Sequence, residues 1–443
     1  MLEFINKIVW SDFLLILLLG TGLLISLRLK FFQIKKFPYI IKNTFLSLFS
    51  DKSTRKTKNG GVSQLQSLSA ALAATMGTGN IIGVASALTI GGPGAIFWMW
   101  ISAILGMALV YAENYLGRIY AQKSGNNKVS GTIAFLEYGT GKKYLAVLFC
   151  IFCSFASLGM GNMTQINSIS QTLNNSFDIP PIYTGIIAAL ICFFIISGSI
   201  KRIGSVSQIL IPVLSLIYIG ASLAVILKNH AHLPAAFSDI LNGAFGIKAV
   251  GGGVSGEIIK RSINIGLRRG VFSNEAGLGS SSLLHSSTES ASPHKLGIWA
   301  VFEVFTDTII CCTLTALAIL TTDSLSSGYS AAALSSEAFK SIMGNFSGIF
   351  TSLSIALFAF ATLISWYFCG ECCIKYLFGK KGISFYRIIF AFCVIIGAYS
   401  KLETVWIISD IFNGLMAFPN LAGLIILRKQ IKFDDNSNYI ING

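Results

Sequence analysis

The sequence predicts an all-α polytopic membrane protein, a bundle of eleven transmembrane helices. Three observations predict it. Of 443 residues, 53% are hydrophobic and only 12% are charged, with a mean hydropathy of +0.70; a soluble protein carries about 25% charged residues. Apolar runs recur along the chain at the length of about 20 residues that crosses hydrocarbon. Two of those runs are interrupted by glycines and polar residues. A membrane tolerates such backbone only where it lines a buried cavity.

The first span is expected at 10–31. Its apolar part is followed by a basic loop and lacks a small-residue cleavage site, so it reads as a retained helix rather than a signal peptide. The loop 28–58 carries Lys35, Lys36, Lys52, Arg55, Lys56 and Lys58. Its aromatic stretch 37–49 has the amphipathic character of a segment lying on a membrane surface. The second span, 64–91, is the first broken one: residues 70–93 hold no charge, yet Thr75-Met76-Gly77-Thr78-Gly79-Asn80 lies at its centre. A helix broken there offers N–H groups to a carboxylate on one side and carbonyls to a cation on the other.

Spans at 95–119, 144–173, 182–199 and 205–227 follow. The next, 253–284, is broken again at Phe272-Ser273-Asn274-Glu275-Ala276-Gly277-Leu278-Gly279. The last four are expected at 295–321, 348–377, 384–400 and 403–427. Turn signals separate them at Gly91-Gly92-Pro93-Gly94, Asp178-Ile179-Pro180-Pro181 and Gly379-Lys380-Lys381-Gly382. Two interrupted spans with five-span spacing point to an inverted repeat whose breaks face one another across a substrate site.

The net charge of +14 reads through topology rather than nucleic-acid binding. Basic residues concentrate in every second loop, at 28–58, 118–143, 201–202, 375–387 and 428–432. The positive-inside rule then places the N-terminus outside and the C-terminus in the cytoplasm. Nine cysteines and four histidines show neither a disulfide framework nor a metal-ligand spacing. Gly77-x-Gly79-x-x-x-Gly83 has a superficial likeness to a dinucleotide loop, but no strand precedes it. No nucleophile and base pair up, so the chain is not expected to be an enzyme. A channel would line a continuous polar pore, whereas the polar residues here converge at midplane.

Four motifs carry a family resemblance. They are Gly77-Thr78-Gly79-Asn80; Gly91-Gly92-Pro93-Gly94 with Phe97-Trp98; Gly161-Asn162-Met163-Thr164-Gln165-Ile166-Asn167; and Ser273-Asn274-Glu275-Ala276-Gly277-Leu278-Gly279-Ser280. Over residues 61–428 the chain resembles the alanine/glycine:cation symporter family, sodium:alanine symporters of the leucine-transporter-type fold. It departs slightly around Trp366, where Ser365 and Tyr367-Phe368 flank a variable motif.

The resemblance implies a five-plus-five inverted repeat with one extra N-terminal helix. Residues 1–60 would be that helix and its basic loop, 61–228 the first repeat, 250–430 the second, and 431–443 a cytoplasmic tail. It implies sodium-coupled uptake of alanine or glycine across the cell membrane, with the bacterial inner membrane fitting the family. The only inorganic requirement is Na+ as coupling ion; no cofactor, nucleic acid or partner chain is implied beyond the amino acid and the bilayer.

The site residues follow. Thr78 and Gly79 would bind the substrate carboxylate, Thr75 would offer its carbonyl to the ammonium, and Gln165 would donate to the carboxylate. Phe272 would supply a carbonyl and an apolar wall, and Asn274 an amide. Sodium would be held by the carbonyls of Ala73, Met76 and Phe358 and by the Thr362 hydroxyl, neutral oxygens suited to a hard cation. Thr362 and Trp366 stand one helical turn apart, and Trp366 would cap the pocket and limit side-chain size. Glu275 is expected in a structural role at the break. Arg268 or Arg269 would pair with Asp410 as an outer gate. Proton coupling is the alternative and would need a titratable group at the site, where the sequence shows only neutral oxygens. Alanine against glycine, the accepted chirality, and the oligomeric state stay open.

Overall fold

A computed structural model describes residues 2–50, 61–123, 129–246, 254–288, 291–329, 331–400 and 402–433. Lys52, Arg55, Lys56 and Lys58 of the basic loop, and residues 434–443 of the expected tail, lie outside them. The described residues are helical, without strands; one isolated bridge joins Val62 to Thr288.

Among the described residues, seven helices are long and apolar enough to cross a membrane, or eight if the bent pair Gln64–Thr75 and Thr78–Gly91 counts as one span. That is fewer than eleven, for definable reasons. The stretch Ala333–Tyr399 counts once although two spans are expected in it; at Gly379 the backbone takes φ 68° and ψ −166° and the helix breaks. The helix Pro181–Ile196 is only 16 residues long. The second broken segment is divided between Val254–Asn274 and Ser280–His285. Helix is nonetheless present in each of the eleven expected stretches.

Local chemistry sets the helix ends around the first break. Ser63 and Gln66 form a capping box: Gln66 N donates to Ser63 Oγ at 3.1 Å, and Ser63 N donates to Gln66 Oε1 at 3.0 Å. The helix then runs to Thr75, and the two halves meet at an angle of 55°. In the second break the chain turns left-handed at Glu275 (φ 55°), Gly277 (φ 87°) and Gly279 (φ 86°). Glycine reaches that region without a Cβ penalty.

Two connections between the expected spans contain helices, Leu233–Phe245 and Ala331–Met343. The first docks on the helix Gly94–Lys123 so closely that a Cβ on Gly94 would lie 2.1 Å from the Gly243 carbonyl carbon. Among the described residues π-helical turns occur at Phe135–Gly139, after the short helix Gly131–Ala134, and within two apolar spans at Gly159–Met163 and Phe305–Cys312. All nine cysteines are free thiols.

Candidate functional site

The two breaks meet in the core. A Cβ built on Gly79 would come within 3.3 Å of the Ser273 Cα, so the backbones of the two interrupted segments touch. Gly77 is held from the other side: its Cβ would lie 2.5 Å from Thr362 Oγ1 and 3.4 Å from Gln165 Oε1. A side chain at either position would fill the space where the four elements converge. Thr78 and Gly79 open a short 3-10 helix, so their N–H groups have no intrahelical acceptor.

Of the expected sodium ligands, three oxygens cluster. Thr362 Oγ1 donates to the Ala73 carbonyl at 2.8 Å and lies 3.2 Å from the Phe358 carbonyl. Met76 sits at the break itself, buried beside Gly77. A set of neutral carbonyl and hydroxyl oxygens fits a monovalent hard cation.

The expected substrate residues are all buried, Phe272 the most exposed of their side chains at 6%. Thr78 Oγ1 donates to Gln165 Oε1 at 3.3 Å, and Gln165 Nε2 donates to the Met160 carbonyl at 3.1 Å. Met160 lies in the π-helical turn Gly159–Met163, a device frequent at functional sites. Thr75 Oγ1 stays on its own helix, 3.3 Å from the Ala71 carbonyl. Asn274 is engaged twice, accepting from Ala276 N at 3.1 Å and donating to Thr308 Oγ1 at 3.2 Å.

Trp366 is fully buried against Gly161, where a Cβ would lie 2.3 Å from the Trp366 Cβ. Its indole N–H donates to Glu275 Oε1 at 2.7 Å, and Ser280 Oγ donates to Glu275 Oε2 at 2.6 Å. The carboxylate thus bridges the second break and the Trp366 helix through neutral donors.

Phe272 stacks on Trp406 with ring centroids 5.4 Å apart, and the Arg269 guanidinium lies over both rings. Arg268 lies over Trp10, whose indole N–H donates to the Asp410 carbonyl at 2.8 Å. Asp410 is within electrostatic range of both arginines, but among the described residues no direct ion pair joins them.

Sequence reasoning missed Asp307. This fully buried carboxylate sits in the π-helical turn Phe305–Cys312 and ties the two breaks together. Asn80 Nδ2 donates to Asp307 Oδ1 at 2.7 Å from the first break, and Ser273 Oγ donates to Oδ2 at 2.8 Å from the second. Thr308 Oγ1 also donates to Oδ2 at 2.8 Å. The oxygens expected to hold the cation, around Thr362, remain neutral, and Asp307 is a titratable group beside them at the meeting of the breaks. The available signal was an acid in an apolar span, one of two there with Glu303, and such a residue is functional by default. Glu113 and Glu303 are likewise buried, held by Asn420 and by Ser281 with His285 respectively.

Residues 1–440 match the sodium:alanine symporter family. The chain is 39% identical to the sodium/alanine symporter AgcS of Methanococcus maripaludis, over 96% of this chain and 93% of that one. It is 35% identical to the probable sodium/glutamine symporter GlnT of Bacillus subtilis, over 96% and 87% of the two chains. Among solved structures it is similar to MhsT in complex with L-phenylalanine, with a TM-score of 0.53 and 16% identity over 80% of this chain and 88% of that one. That likeness is one of fold.

Proposed function

The chain belongs to the sodium:alanine symporter family, a family of membrane transporters, and on that premise we propose that it carries alanine or glycine into the cell together with sodium. The observation that supports this most is the meeting of the breaks. The N–H groups of Thr78 and Gly79, which open a 3-10 helix, the Gln165 side chain and the Thr362 oxygen cluster lie around a single point of the core. A short amino acid has little apolar surface, so its charged ends must supply most of the affinity.

In this reading the carboxylate lies against Thr78, Gly79 and Gln165, and the ammonium against the Thr75 carbonyl. Phe272 and Asn274 close the site from the second break, and Trp366, anchored by Glu275, sets its size. Sodium lies among Ala73, Met76, Phe358 and Thr362, sharing the first break with the substrate. Binding of each ligand favours the same closed state, which is what coupling requires. The helices form a five-plus-five inverted repeat behind an extra first helix, with the N-terminus outside and the C-terminus inside. Arg268 or Arg269 with Asp410 acts at the outer gate. An inward sodium gradient and a negative interior supply the energy, about 2.3 kcal/mol per charge per 100 mV.

Asp307 favours a second reading, in which a proton accompanies or replaces sodium. Purified protein in proteoliposomes distinguishes the two. Labelled alanine accumulating under a sodium gradient, competed by glycine and indifferent to an imposed pH gradient, supports the first. Accumulation driven by a pH gradient without sodium supports the second.

A further inference from the structure

A basic cavity lies away from the transport site. The helices Asp12–Arg28 and Leu402–Leu427 end side by side, and Arg28 Nη2 donates to the Lys429 carbonyl at 2.6 Å. Both helices belong to apolar spans, so their common end marks a membrane–water boundary. A cavity of about 640 Å³ opens there, rimmed by Arg28, Lys30, Lys35, Lys36 and Lys432. No acidic side chain lines it among the described residues. Lys30, Lys35 and Lys432 make no ion pair among those residues.

The floor is apolar and fixed. Phe32 and Ile431 are buried, and the Phe32 and Phe433 rings lie 4.7 Å apart. Tyr111 Oη donates to the Lys432 carbonyl at 2.8 Å, which pins the backbone that carries that lysine. On the opposite rim Lys30 and Phe31 adopt left-handed backbone, φ 57° and 54°, secured by Phe31 N donating to the Ser26 carbonyl at 2.7 Å. Non-glycine residues in that region persist only where the surroundings over-determine them. The chain thus holds a ring of cations in place over apolar side chains.

We propose that this cavity binds the headgroup of an anionic phospholipid, its phosphate on the basic rim and its glycerol and first acyl carbons on the Phe32, Ile431 and Phe433 floor. Basic pockets between spans at a membrane surface bind such headgroups. An inorganic phosphate would use the rim alone, whereas an amphiphile at the boundary uses both parts. The site is separate from substrate binding and secures the extra N-terminal span to the last one.

Native mass spectrometry of the full chain in detergent tests this, with phosphatidylglycerol and phosphatidylcholine as probes. The wild type is expected to retain one phosphatidylglycerol in preference to phosphatidylcholine. Lys35→Gln/Lys432→Gln should weaken that binding about 25-fold, at about fivefold per charge. Lys35→Arg/Lys432→Arg should restore it, and Lys142→Gln/Lys143→Gln, at exposed lysines elsewhere, should leave it unchanged. Melting of each lipid-free variant reports folding separately. Equal retention of the two lipids, or unchanged binding in the Gln variant, would overturn the proposal. So would displacement of the lipid by an equal concentration of inorganic phosphate, which would mark a free-anion site.

Discussion

Gly77→Ala is the sharpest perturbation of the first break. The new Cβ would lie 2.5 Å from Thr362 Oγ1, where ordinary contact begins near 3.4 Å, so the hydroxyl must retreat by about 0.9 Å. Thr362 Oγ1 now lies 2.8 Å from the Ala73 carbonyl, and a retreat of that size, or a turn to another rotamer, breaks the bond. Losing a buried hydrogen bond costs about 1–3 kcal/mol, and each 1.4 kcal/mol is about tenfold in affinity. The sodium concentration giving half-maximal alanine uptake should therefore rise about 5- to 140-fold. The assay is labelled alanine uptake into proteoliposomes across a sodium titration. Gly83→Ala is the control, because its Cβ meets nothing closer than the Thr78 carbonyl at 3.9 Å, and it should behave as wild type. Wild-type sodium dependence in Gly77→Ala would refute the reasoning, since the Thr362 oxygen cluster would then be irrelevant to the ion.

Four further variants have expected outcomes. Trp366→Phe keeps a ring against Gly161 but removes the 2.7 Å donor to Glu275; stability should fall by about 1–3 kcal/mol in detergent melts, and amino acids larger than alanine should compete better for uptake. Asp307→Ala leaves the buried donors of Asn80, Ser273 and Thr308 without their shared acceptor and should abolish uptake. Asp307→Asn retains the shape and lets the hydroxyls turn to accept, so sodium-driven uptake should persist; its loss, together with loss of pH sensitivity, would shift the account to proton coupling. Gly94→Ala forces a Cβ to 2.1 Å from the Gly243 backbone and should destabilise the protein by about 3 kcal/mol, visible as a lowered melting temperature.

Membrane helices are legible because hydropathy and length act over 20 residues at once. Each expected stretch contains helix, and the interruptions at Gly77 and Gly277 are visible as polar and glycine residues where lipid should be. The helix Leu233–Phe245, at 13 residues, falls below any spanning length, so an apolar-run criterion passes over it. The π-helical turns leave no such mark: a single extra residue per turn changes neither hydropathy nor composition, yet it carries Asp307 between Asn80 and Ser273. Asp307 itself was legible as a charge within an apolar run. Its partners come from positions 80 and 273 and required the fold to be known. The anchoring of Trp366 by Glu275 is equally non-local, spanning 91 residues.

The central claim is that substrate and sodium share the first break. Equilibrium binding of labelled alanine to purified protein, titrated with sodium, tests it most directly, because linkage requires each ligand to raise the affinity for the other by the same factor. The account predicts sodium-dependent alanine binding in the wild type that becomes sodium-independent and weak in Thr362→Ala. Alanine binding of equal strength with and without sodium, in folded protein, would contradict it.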